Sequence, residues 1–384
     1  MPDTIQVGLI GRKFMGRAHS NALGQVARFF DLPLVPALRT VCARDADGLA
    51  AFAARWGWAG HTTRWQELVA DPEIGLVDVV TPNDLHAEPS IAALEAGKHV
   101  ACEKPLAHTL EAARAMRDAA AAASGRSFVW FNYRRCPAVG LAHRLVREGR
   151  IGAVRHVRAT YLQDWGGPET PLLWRFRKER AGSGAHGDLN AHLVDLARFV
   201  TGEEIVAVDG ALARTFVEMR DLPNGSGGPG QGRSDVDDAL LFLASLSGGG
   251  VASFEASRLA APHQNACSLE VDGEAGSLRF DFEDMNLLHF ADASDGRREG
   301  GWRRIMCTSA GDHPYAASWW PDAHLLGYEH GFTNMLADVL RVLGGGEPEL
   351  PLPDFEDAWR VQCVLEAALV AARERRAVSV DEVQ

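Results

Sequence analysis

The residues best suited to chemistry in this chain are a lysine, Lys104, and an aspartate–histidine pair, Asp188 and His192. Spaced i, i+4, Asp188 and His192 share one face of a helix, one turn apart. Oxidising an alcohol needs a group to take the hydroxyl proton and a cation to steady the developing alkoxide. An imidazole, which titrates near pH ~6.5, suits the first task, and a neighbouring carboxylate can orient it. Lys104 suits the second, or is itself the base if burial lowers its pKa; both roles stay open at this point. His186, Asp188 and His192 also make a two-histidine, one-carboxylate set of metal ligands. Their i, i+2, i+6 spacing turns His186 away from the shared face, so no metal is expected. On its own such an Asp–His pair is more often a surface pair or a core histidine; its weight comes from the rest of the chain.

A second feature is the run Gly8-Leu9-Ile10-Gly11-Arg12-Lys13-Phe14-Met15-Gly16, between a strand pattern and a helix pattern. Its spacing follows the dinucleotide-binding fingerprint G-x-G-x-x-G, with Lys13 in place of the middle glycine. That glycine normally lets the backbone approach a diphosphate, so a side chain there should push the diphosphate outward. A lysine ammonium compensates in part, because a helix N-terminus is already an anion site. At the end of the second strand, Ala43-Arg44-Asp45 offers either an arginine for a ribose 2′-phosphate or a carboxylate for a 2′-hydroxyl. A nicotinamide adenine dinucleotide is expected, NAD or NADP.

These residues need a frame. Strand-like runs at 5–10, 38–43, 75–81, 98–102 and 128–131 alternate with helical stretches at 14–30, 45–56, 88–96 and 109–123. Such alternation predicts βαβ units on a parallel sheet, and Lys104 then sits at the strand end where open α/β sheets bind ligands. Beyond Asn132 the pattern changes. A helix at 138–148 precedes strands at 154–165, 206–219, 238–246, 251–258, 267–272 and 277–281, broken by a helix at 187–201. The expectation is an α/β Rossmann domain over 1–131 and an α+β domain over 132–384 with a mainly antiparallel open sheet. Helices at 329–343 and 354–375 close the chain, and Asn224–Gly232 reads as a flexible surface loop.

Composition narrows the function classes. The 384 residues are 46% hydrophobic and 23% charged, with a net charge of −12, which argues against nucleic acid or an anionic membrane surface as partner. The same charge mildly favours a neutral polyol over a sugar phosphate. The longest stretch without Asp, Glu, Lys or Arg, Ala239 to Phe254, is shorter than the ~20 residues a membrane helix needs. The N-terminal residues run straight into the first strand, and the six cysteines form no CxxC pair. No signal peptide, disulfide framework or structural zinc is expected, and a cytoplasmic setting fits.

Four further motifs bring a resemblance. They are Val80-Thr81-Pro82-Asn83-Asp84-Leu85-His86; Ala96-Gly97-Lys98-His99-Val100-Ala101-Cys102-Glu103-Lys104-Pro105-Leu106-Ala107; the opening GRKFMGRAHS; and Gly187-Asp188-Leu189-Asn190-Ala191-His192-Leu193-Val194-Asp195. Together they resemble the Gfo/Idh/MocA oxidoreductase family (glucose–fructose oxidoreductase, inositol dehydrogenase and relatives) over essentially the whole chain. Tyr161-Leu162-Gln163-Asp164-Trp165, Trp174-Arg175-Phe176 and His313-Pro314-Tyr315 are most similar to the branch containing levoglucosan dehydrogenase.

The resemblance implies an NAD(P)-dependent dehydrogenase acting on a secondary hydroxyl of a sugar, anhydrosugar or inositol. Lys104, Asp188 and His192 would be its catalytic set. Gly11, Arg12, Lys13, Phe14, Met15, Ala43, Arg44, Thr81, Pro82, Asn83, His86, Glu103 and Lys104 would line the cofactor site. Tyr133, Gln163, Trp165, Arg175, Asp188 and His192 would meet the substrate; polar groups among aromatic planes suit a sugar's hydroxyls and its C–H face. His19 is a second histidine that either lies near the cofactor or serves its helix, and Trp319-Trp320 is a late-loop candidate to overhang the site. Assembly into a homodimer or homotetramer through the second-domain sheet is implied as well. Two alternatives use the same residues: a glycosidase or lyase that oxidises its sugar transiently, and a silent binding protein.

Overall fold

The computed structural model describes residues 2–223 and 230–384. The chain forms two units, Met1–Arg135 with Pro314–Trp359, and Cys136–His313 with Arg360–Gln384. In chain order the first 135 residues give β1 (Asp3–Ile10), α1 (Phe14–Phe29), β2 (Leu34–Cys42), α2 (Leu49–Trp56), β3 (Gly60–Thr62), α3 (Trp65–Ala70), β4 (Ile74–Val79), α4 (Ala87–Glu95), β5 (His99–Cys102), α5 (Leu110–Ala122) and β6 (Ser127–Val129). The six strands are parallel, in the order β3-β2-β1-β4-β5-β6. Buried apolar residues run continuously along them, as at Leu76, Val77 and Val79 or Val100, Ala101 and Cys102. A parallel strand needs this because helices cover both of its faces. The strand order reverses between β1 and β4, which makes the carboxyl ends of those two strands the crevice where such sheets take ligands. The short β3 and α3 were not anticipated: neither is long enough to show a periodicity. β2 begins at Leu34, four residues before the expected start, because Pro36 sits within it, paired with Ile5.

The second unit contributes α6 (Pro137–Arg147), β7 (Val154–Leu162), α7 (Lys178–Ala181), one turn of π-helix at His186–Asn190, α8 (Ala191–Thr201), β8 (Ile205–Arg214), β9 (Met219–Asp221), β10 (Gln231–Arg233), β11 (Ala239–Leu246), β12 (Val251–Ser257), β13 (Ala266–Gly273), β14 (Gly276–Asp281), β15 (Leu287–Asp292) and β16 (Arg303–Met306). After α9 (Ala316–Trp319), α10 (Tyr328–Leu343) and α11 (Phe355–Glu374), the chain ends on β17 (Val378–Ser379). Nine strands form one sheet in the order β16-β15-β14-β13-β7-β12-β11-β8-β17. Every pairing is antiparallel except β7 with β12. Along β11 burial alternates: Leu240 and Phe242 point inward while Leu241 and Leu243 are exposed. One face is therefore core, where Phe242 stacks on Phe254 at 4.5 Å, and the other is open.

Two expectations about chain organisation differ from what is observed. The segment 314–359, counted above with the second domain, packs with the first unit: α10 lies on α1, and the buried Arg135 bonds Asp338 of α10 at 3.0 Å. Of the loop expected at Asn224–Gly232, residues 224–229 lie outside the described residues. Its last two residues belong to β10, which pairs with β9.

Candidate functional site

The first unit gathers its candidate residues at the crevice. Successive loops are stitched there by backbone bonds, from Gly11 N–H to Cys42 O (2.8 Å), Val80 N–H to Ile10 O (2.9 Å) and Glu103 N–H to Val79 O (2.9 Å). Gly11 has φ +128°, and a Cβ there would stand 2.6 Å from the Val80 carbonyl oxygen, so only glycine fits. A Cβ on Gly16 would stand 2.5 Å from the Gly11 oxygen, which explains the third glycine of the fingerprint. Lys13 is different. Its φ of −75° is ordinary for any residue, and it is the exposed N-cap of α1, with no side-chain cap on the first-turn amides and no acidic residue in that turn. The helix start suits an anion, and the backbone conformation at position 13 does not itself require glycine. Phe14 is half-exposed and stacks on Tyr328 at 6.1 Å, and Met15 is half-buried.

At the end of β2, Ala43 is half-buried and Arg44 exposed. Asp45 pairs with Arg12 and accepts the Asp47 N–H (3.0 Å), while Arg12 also donates to Asp47 O (2.6 Å). Arg12 is thereby tied to the second βα loop. After β4, the half-buried Thr81 and Pro82 lead into the buried Asn83 and His86. His86 lies 2.9 Å from Thr81 O through Nε2 and 3.1 Å from Pro105 O through Nδ1, joining the β4 and β5 loops. Burial lowers its pKa. Lys104 is half-buried, and its backbone N–H donates to Glu103 Oε2 (3.1 Å).

Beneath Glu103 lies a cluster that the sequence reading did not anticipate as a unit. His19, 1% exposed, places Nδ1 2.8 Å from Asp78 Oδ2 and Nε2 3.0 Å from Glu103 Oε1. Trp130 donates its indole N–H to Asp78 Oδ1 (2.9 Å). The signal was present in the sequence: an aspartate inside the apolar run Gly75–Thr81, and a histidine on the buried face of α1 with Gly16, Leu23 and Val26. Buried ionisable groups need partners.

The second unit builds its residues around the π-turn. Asp237 accepts the N–H groups of Gly184 (2.7 Å) and His186 (2.8 Å), and a Cβ on Gly184 would stand only 1.7 Å from the Asp237 oxygen. The turn is pinned at its start, and one wide turn displaces Asp188 from the register of a regular α-helix relative to His192. Asp188 receives Arg258 Nη2 at 2.9 Å and has Arg175 Nε at 3.8 Å. Arg258, 1% exposed, lies over the Trp165 ring (5.0 Å) and donates to Arg175 O (3.2 Å). His192 is buried, with the Tyr161 ring at 5.9 Å. Trp165 donates to Gln163 Oε1 (2.6 Å), and Gln163 (2.7 Å) and Tyr161 (2.8 Å) both donate to Asn265 Oδ1. A polar chain backed by aromatic planes results, with Arg175 over Trp174 at 4.4 Å. Arg258 and Asn265 escaped the sequence reading because neither belongs to a motif.

Other candidates have different tasks. His186 uses both ring nitrogens, donating to Leu365 O (2.8 Å) and accepting from Asn190 (3.0 Å). Tyr133 is almost wholly buried. Trp319 is a core residue of the first unit, donating to Asn334 (2.7 Å) with Phe29 at 4.3 Å. Among the described residues no helix is long and apolar enough to cross a membrane.

Comparison with known proteins finds two family models along the chain. Residues 5–131 match the family model of an oxidoreductase family with an NAD-binding Rossmann fold, and residues 139–279 match the GFO/IDH/MocA C-terminal domain. The chain is 39% identical to levoglucosan dehydrogenase of Pseudarthrobacter phenanthrenivorans, over 99% of both chains. A crystal structure of an oxidoreductase domain protein from Kribbella flavida is 50% identical, with a TM-score of 0.93 over 99% of this chain and 100% of that one. A levoglucosan dehydrogenase solved in complex with NADH and levoglucosan is 39% identical, with a TM-score of 0.91 over 98% of this chain and 99% of that one.

Proposed function

The chain belongs to the Gfo/Idh/MocA oxidoreductase family, and from that premise we propose that it oxidises a secondary hydroxyl of a neutral anhydrosugar of the levoglucosan type, with Lys104, Asp188 and His192 as its catalytic set. The observation that carries the reading is the conjunction of Asp188 on a pinned π-turn with the Gln163–Trp165–Asn265 chain in the same unit. That surface offers donors and acceptors for ring hydroxyls and an aromatic plane for a C–H face.

The nicotinamide, when bound, accepts the hydride. The chain supplies the rest. Gly11, Arg12, Lys13, Phe14 and Met15 hold the diphosphate end, with Ala43 and Arg44 toward the adenosine. Thr81, Pro82, Asn83, His86 and Glu103 shape the wall leading to Lys104. Lys104 meets the reacting oxygen as a cation and so favours loss of its proton. His192 takes that proton, and Asp188, held by Arg258, fixes substrate and imidazole. Gln163, Trp165 and Arg175 complete the substrate wall. At the end of β2 Arg44 is exposed and Asp45 is paired with Arg12, so the cofactor read from this loop is NAD or NADP. The open face of the nine-stranded sheet, with Leu212, Leu241 and Leu243 exposed side by side, supports self-association through that face.

The test is a panel of levoglucosan, glucose and inositols with NAD and NADP, followed at the nicotinamide absorbance. One reduced cofactor is expected per sugar oxidised; bond cleavage without net reduction would mean transient oxidation instead. Lys104→Met and His192→Ala should each lower kcat by about 10²-fold or more with NADH binding retained. Undiminished turnover in both would refute the mechanism.

A further inference from the structure

His19 lies between two carboxylates. Its Nδ1 is 2.8 Å from Asp78 Oδ2 and its Nε2 is 3.0 Å from Glu103 Oε1. Ionised carboxylates only accept hydrogen bonds, so both ring nitrogens must carry protons to serve both partners. The group is buried, with the Trp130 ring at 4.5 Å and Phe332 at 5.3 Å from the imidazole. Each end of the bridge is fixed further: Trp130 donates to the other oxygen of Asp78, and Glu103 Oε2 takes the Lys104 amide.

We propose that His19 is a positioning residue for the reaction: as an imidazolium shared by Asp78 and Glu103, it fixes the Glu103 carboxylate and, through the hydrogen bond that the Lys104 backbone N–H donates to that carboxylate, the lysine that meets the reacting oxygen. The proposal rests on the reading of Lys104 given above. A side chain one peptide from a locked carboxylate has a fixed base for its ammonium, and reacting groups displaced by about 1 Å can lose 10²-fold in rate. The charge balance supports the assignment. Burial pushes the His19 pKa down, yet the attraction and hydrogen bonds of Asp78 and Glu103 outweigh it and raise it to about 9. The remaining titratable neighbours do not compete for the proton: burial keeps the Cys102 thiol protonated and lowers the pKa of His86.

Two measurements test this. In the wild-type holoenzyme labelled with 15N-histidine, the His19 ring is expected to show two protonated nitrogens at pH 7.5; a neutral imidazole would overturn the proposal. In kinetics, His19→Gln and Glu103→Gln should each lower kcat by about 10–100-fold, with the dissociation constant for NADH in His19→Gln changed less than about threefold. The double variant should be no worse than the weaker single one, because both act through one path. Unchanged kcat in the folded single variants, or losses that multiply, would overturn it. Should His19→Gln fail to fold, Glu103→Gln with the nitrogen spectrum still decides. Full turnover in Lys104→Met would instead indict the functional reading, whereas an inactive Lys104→Met with fully active His19→Gln and Glu103→Gln would indict only the role of His19.

Discussion

Replacing Arg258 with methionine keeps most of the side-chain volume and removes the guanidinium that Asp188 holds at 2.9 Å. Removing one partner of a fully buried ion pair typically costs about 3–5 kcal/mol. Asp188 is 26% exposed, and Arg175 stands by at 3.8 Å, so solvent and a second cation both soften the loss. We take about 2 kcal/mol as the consequence for the placement of Asp188, and at 1.36 kcal/mol per decade this is roughly 30-fold in kcat/KM for the sugar. Neither Asp188 nor Arg258 is among the residues read as holding the dinucleotide, so NADH affinity should hardly move. Arg258→Lys keeps the charge and loses the fork that also reaches Arg175 O, and should recover to within about fivefold of wild type. Steady-state kinetics on the sugar, NADH fluorescence titration and a thermal melt separate these effects. An Arg258→Met enzyme that is folded and within about twofold of wild-type kcat/KM would refute the claim that this arginine sets the catalytic carboxylate.

Two other outcomes follow from the same structure. His19 has a pKa raised to about 9 in the fold against about 6.5 in an unfolded chain, so the folded state binds the extra proton between those values. Its contribution, about 3 kcal/mol at most, is complete below pH ~6.5 and is lost as pH rises through 9. The melting temperature should therefore fall between pH 7 and 9.5, and the fall should flatten in His19→Gln; equal slopes in the two proteins would count against the bridge. On the open sheet face, Leu241→Glu with Leu243→Glu places charges on two exposed positions of β11. Light scattering should show a drop to monomer mass without loss of the fold, and an unchanged mass would exclude that face as the contact.

Much of the frame was legible because it rests on local periodicity. The first sheet shows itself as apolar runs of four to six residues between amphipathic helices, whereas the open face of β11 is hidden because the exposed Leu241 and Leu243 are as apolar as the buried Leu240 and Phe242. Less legible were elements set by distant contacts. Nothing in the pattern of Tyr328–Leu343 says that it packs on α1, since an amphipathic helix declares that it has a partner without declaring which. The parallel pairing of β7 with β12 was hidden for a similar reason: strand composition carries no direction. At position 13 the backbone φ of −75° places no demand for glycine; the glycine of the fingerprint answers instead to the close approach of a diphosphate.

The candidate site was most legible where a local rule is broken. Gly11 occupies a backbone region closed to side chains, Asp78 interrupts an apolar strand, His19 lies on a helix face otherwise built for packing, and Asp188 rides a turn wider than an α-helix. Each departure weakens folding locally, and each is offset by a specific partner: the Val80 carbonyl packed against a glycine, two carboxylates for one imidazolium, Arg258 for Asp188. A chain selected only to fold would replace Asp78 and His19 with apolar residues of similar size, because an apolar substitute for a buried ion pair is often neutral or stabilising. That a three-member charged bridge stands instead directly beneath Glu103 and the Lys104 amide argues that its geometry serves the reacting end of the β5 loop rather than the stability of the sheet.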